Sequence, residues 1–92
     1  MSDAIEIYNR ELSASEKDEA YLLAVFISSG GKQSEMPEWY GQLQLARSCG
    51  MSVHELFSWP LEYALRRGRI ASEAHNIAVR MATMAAREKI YG

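Results

Sequence analysis

The 92 residues carry twelve acidic and ten basic side chains, are 48% apolar, and include one cysteine and two histidines. That length supports a single domain with one core, and mixed charge with ordinary apolar content excludes global disorder. A lone Cys49 excludes an intrachain disulfide, and with only two histidines beside it a four-ligand zinc site of that type is excluded too.

A chain this small buries only about two-thirds of the surface exposed by its unfolded form, so further burial between copies is expected. Cys49 reads as a small apolar residue on a helix face, the usual place for a free thiol. The longest apolar run, Ala20 to Ile27, is far short of the roughly 20 residues a membrane span needs, and Met1 to Arg10 has no basic leader character. A cytoplasmic location with no membrane contact is the expectation. Charge is uneven. Residues 1–38 hold eight acids against three bases, and residues 39–92 hold seven bases against four acids. Such asymmetry can draw an acidic partner to the second half, or join the two halves of neighbouring copies.

In chain order, residues 3–12 read either as a short helix with Ile5, Tyr8 and Leu12 on one face or as an alternating strand, the helix being preferred. Ser13-Ala14-Ser15-Glu16 is a capping box, and with Gly30 as a left-handed terminator it predicts a helix from Ala14 to Ser29. Tyr21 to Ile27 is apolar on every side, which predicts burial against more than one neighbour. The Gly- and Ser-rich stretch at about 28–36 predicts a flexible connection. Its Gly30-Gly31-Lys32 lacks the first glycine and the following Ser or Thr of a phosphate-binding loop.

Pro37 suits the first turn of a helix reaching Cys49, with Leu43, Ala46 and Gly50 on its apolar side and Trp39 and Leu45 nearby. Ser52 to Glu55 repeats the capping box and opens a short helix to about Trp59, where Pro60 stops it. Leu61 to Arg67 adds a turn or two before Gly68. The last helix, Ile70 to about Ile90, places Ile70, Ala74, Ile77, Met81 and Met84 in steps of four and three, the spacing of a helix-packing stripe. Ala71, Ala78, Ala82 and Ala85 form a small-residue stripe beside it. The fold class is therefore all-α, a bundle of four or five helices, with a helix-turn-helix-like corner at about 37–59.

For that corner to read DNA, its second helix should present basic or polar groups to bases and phosphates. It offers Val53, His54, Glu55, Phe57 and Ser58, with no lysine or arginine. Arg66, Arg67 and Arg69 lie beyond the proline and are the candidates for an anion or nucleic-acid contact, set against a plain solvated connection between helices. His54 and His75 lack the orienting partners of a general base or metal ligand, and no nucleophile has an activating neighbour. No cofactor, metal or catalytic residue is assigned.

Trp39-Tyr40-Gly41-Gln42-Leu43, Leu45-Ala46, Gly50 to Leu56, Trp59-Pro60-Leu61 and the alanine-rich helix with Glu73-Ala74 together resemble small tail-assembly proteins of long-tailed bacteriophages. The resemblance spans roughly residues 37–86 and implies a chaperone that binds tail-tube or tape-measure protein through helical apolar surfaces. The acidic first helix and the Arg66 to Arg69 segment depart from that pattern, and leave room for an adaptor or inhibitor docking on a larger complex. The functional expectation is a non-enzymatic protein-interaction module whose partners include another copy of itself, with Tyr21, Leu22, Val25, Phe26, Ile77, Met81 and Met84 as the protein-binding residues. A small helix-turn-helix regulator binding nucleic acid is the alternative.

Overall fold

The structure is a computed structural model and describes residues 2–32 and 35–91 of the chain. Five helices account for the fold, with no strand among the described residues: α1 (Ser2–Asn9), α2 (Ala14–Ser28), α3 (Glu38–Ser48), α4 (Val53–Phe57) and α5 (Leu61–Tyr91). Residues 3–9 are helical, so the strand reading of the N-terminus falls away.

The local signals act as their chemistry requires. Ser13 Oγ accepts the Glu16 amide, and the Glu16 carboxylate accepts the Ser13 amide at 2.9 Å, closing the capping box that starts α2. At the other end Gly30 has φ +65°, which lets the Gly31 amide reach back to the Phe26 carbonyl at 3.0 Å and close a Schellman turn. Gly50, at φ +72°, ends α3 in the same way, with the Met51 amide on the Ala46 carbonyl. Pro37 stands one place before α3 as its N-cap. Ser52 Oγ caps α4 through the Glu55 amide, but Glu55 returns its bond to the Ser52 hydroxyl rather than to the backbone, so the second box is half made. α4 stops at Phe57, short of Trp59, because Ser58 already turns left-handed at φ 59°. Of the expected Gly- and Ser-rich connection, Gln33 and Ser34 lie outside the described residues.

The expected break at Gly68 does not occur. α5 runs unbroken for 31 residues from Leu61, roughly 46 Å at 1.5 Å per residue, nearly the full 49 Å of the molecule. A helical glycine costs only about 1 kcal/mol relative to alanine, and packing on both sides of this position outweighs it. α1, α2, α3 and α4 all pack on α5, and from Ala64 to Ala74 no α5 side chain is exposed. α5 is thus a central rod. Gly68 faces α1, where an added Cβ would lie 3.9 Å from the Tyr8 ring, an ordinary contact. Gly68→Ala should therefore raise stability by about 0.5–1 kcal/mol, seen as a higher midpoint in thermal or urea unfolding.

α2 runs parallel to α5: Glu16 pairs with Arg66 at one end, and Ser28 meets Met81 at the other. Between them the buried side chains are mostly small, Ala20 and Ala24 from α2 and Ala71, Ala74 and Ala78 from α5, which permits close approach; Leu23 and Ile70 are the largest fully buried groups. α3 adds Tyr40, Leu43 and Ala46, and Trp59 is anchored by Nε1 donating to Gln42 at 3.2 Å. Tyr40 is buried with its hydroxyl shared between Gln44 and His75. Leu45, expected near the apolar side of α3, and Cys49, expected as a small apolar residue on a helix face, are both exposed, because that helix meets the core through Tyr40, Leu43 and Ala46, with Trp39 beside them.

Candidate protein interface

The arginine cluster is no loose connection between helices. Arg66 sits near the start of the packed part of α5, its side chain only 11% exposed, and forms a two-point pair with Glu16: Nη2 to Oε1 at 2.7 Å and Nε to Oε2 at 3.1 Å. The rest of the guanidinium turns to the end of α1. Nη1 donates to the carbonyls of Ile7 at 2.7 Å and Arg10 at 2.9 Å, and Nη2 donates to Glu11 at 3.2 Å. Ile7 carries one of the carbonyls α1 leaves unpaired where it stops, and Arg10 and Glu11 lie in the link that follows, so Arg66 closes α1 and ties it to the first turn of α2. The planar fork matters, since an ammonium could not reach both groups.

Arg67 bonds Glu19 at 2.7 Å and lies 5.1 Å from the centroids of both Trp39 and Tyr63, a cation between two rings. Arg69 lies 3.7 Å from Glu73 one turn on. All three candidates for an anion contact thus have acidic partners within the chain, and the two guanidinium groups most engaged are turned inward. α4, the recognition-helix position of the corner, is five residues long.

The protein-binding candidates divide. Phe26, Ile77 and Met81 are half-buried, Phe26 and Ile77 packing against the core. Tyr21, Leu22 and Val25 face outward, Leu22 at 67% exposure, so the apolar run of α2 is covered on one side only, contrary to the all-round burial expected. The physical reason is that α2 has α5 along its inner side, while among the described residues no helix packs along its outer side. On α5 the stripe changes character along its length: Ile70 and Ala74 are buried, Ile77 and Met81 are half-buried, and Met84 is 61% exposed. α5 outruns its neighbours after Ala78, and from Val79 to Glu88 every residue but Met81 is exposed.

The outcome is two adjoining apolar surfaces. One is the outer side of α2, with Leu22 and Val25. The other is the projecting end of α5, with Val79 and Met84, flanked by a shallow groove lined by Ile27, Ala78, Ala82 and Ala85. Val79, absent from the sequence-based candidates, belongs with them; it falls off the four-three stripe and could be found only by knowing which side of α5 is left bare. Among the described residues no three His, Cys, Asp or Glu side chains converge to hold a metal ion, and no helix is long and apolar enough to cross a membrane. No family model, curated protein or solved structure matches the chain.

Proposed function

We propose that this protein is a non-enzymatic interaction module that associates with itself and with a protein partner through the outer side of α2 and the projecting end of α5. The observation that carries the reading is the exposure of Leu22, Val79 and Met84 on neighbouring helices of one small domain. A projection from Val79 to Tyr91 is about 20 Å of helix, near the lower limit of length at which a helix is stable in water by itself. A covering surface would supply the missing burial. An assembly chaperone of the phage-tail kind, which the resemblance of residues 37–86 implies, or an adaptor seated on a larger complex, is the particular form this module takes.

The decisive measurement is mass in solution by light scattering across a concentration series. The expected result is a mass above that of the monomer and rising with concentration, reduced to the monomer by Val79→Ser with Met84→Ser while the helical circular dichroism spectrum is unchanged. A monomer at every concentration overturns the self-association. In a gel shift at low salt the module leaves DNA unretarded; retardation that fades as salt rises would transfer the protein to the helix-turn-helix regulators.

A further inference from the structure

Between the outer side of α2 and the start of α3 lies a notch of about 300 Å³, floored by Leu22, Phe26, Pro37 and Trp39 and rimmed by Glu19 and Glu35. The floor is apolar and the rim is acidic. Phe26 is fixed there by Gly31, where an added Cβ would come within 2.5 Å of the ring. The projecting part of α5 has the opposite character. Arg80, Met84 and Arg87 recur at i, i+4 and i+7, which places one long apolar side chain between two cations on a single helix face. All three are exposed, and the link from Arg80 to Glu73, at 3.2 Å, is a surface pair of small worth.

We propose that the notch receives the α5 projection of a second copy, with Met84 on the apolar floor and Arg80 and Arg87 toward Glu19 and Glu35. This rests on the self-association proposed above and names the surfaces that meet. Three features favour a second copy as the occupant. Charge is complementary: the notch belongs to the acid-rich half of the chain and the projection to the base-rich half. Shape is complementary too, a concave floor against a convex helix face. Each surface also leaves large apolar side chains bare, Leu22 in the notch and Met84 on the projection, and a single contact covers both. Because every copy carries both halves, the contact can close as a two-fold pair or continue as a chain.

Charge reversal tests the pairing with the full chain. Arg67 already takes one oxygen of Glu19, so Glu35 is the better acid to reverse. Glu35→Lys and Arg87→Glu, both at exposed positions, should each weaken self-association by about tenfold or more in sedimentation velocity, with circular dichroism unchanged. Mixing the two variants should restore association, because the lysine-rimmed notch of one then meets the glutamate-bearing projection of the other. Association indifferent to both reversals overturns the docking and leaves the self-association intact. Weakening by each without restoration on mixing assigns the residues to separate contacts and also overturns it. A chain that is monomeric throughout removes the docking and the self-association together.

Discussion

Arg66→Ala lowers the stability of the domain by about 3 kcal/mol and frees α1 from the bundle, as measured by urea unfolding and by loss of amide protection in residues 2–9. The expectation follows from what the truncation strands. Glu16, with 19% side-chain exposure, keeps a charge with no guanidinium beside it, and the carbonyls of Ile7, Arg10 and Glu11 lose their donor where α1 ends. Removing one member of a largely buried pair costs more than the pair is worth in net terms, because the remaining charge stays desolvated. Arg66→Lys keeps the charge but not the fork, and should recover about half of the loss.

The same contact fixes an acid limb in the stability profile. The Glu16 carboxyl is brought from 4.5 down to about 2, chiefly by hydrogen bonding from Arg66 and against the partial burial that pushes it up. A group whose folded value lies below its unfolded one stabilises fully above the unfolded value and loses that contribution as the folded value is passed. Stability should therefore fall as pH drops from about 4.5 to about 2, and Arg66→Ala should flatten that part of the curve. An equal acid slope in the variant would show that Glu16 is not tied to Arg66 in the way described.

The second large effect separates two residues that the sequence pattern treats alike. Ile70→Ala should cost about 3 kcal/mol, since Ile70 is 1% exposed within the core and its loss leaves a cavity there. Met84→Ala, fourteen residues on in the same stripe, should cost under about 0.5 kcal/mol and act on self-association instead. The pair of measurements, chemical unfolding and sedimentation on both variants, divides the stripe into a part that holds the fold and a part that faces outward. Comparable losses of stability from both would mean that the projection is packed within its own chain.

What could be read from the residues was mostly what nearest neighbours decide. The capping box at Ser13 and Glu16 and the left-handed glycines 30 and 50 each act within six residues, and each sets a helix boundary in the structure, whereas Pro60 stands just before α5 and the short helix ends earlier, at Ser58. The failures share a different cause. Gly68 was read as a break because its local cost was visible and the packing that offsets it, from α1 sixty residues earlier, was not. Arg66 showed as charge in a row of arginines, while its partners are 50 to 59 residues away in the chain. The apolar run of α2 gave its hydrophobicity but not its surroundings; which side is bare depends on the placing of α3 and on how far α5 extends. Of the candidate interface, Leu22 and Met84 were legible from their neighbours, whereas Val79 and the acid-rimmed notch exist only once the helices are assembled.

The rod on which every other helix packs follows all of them in chain order. During synthesis, therefore, α1 and α2 leave the ribosome without the helix they pack on, α3 and α4 have only each other, and Leu23 and Ala24 stay wet until α5 appears. Native structure should form abruptly once α5 has been synthesised rather than by increments, and nascent chains halted before Ala74 should be open to protease digestion across α1 to α4.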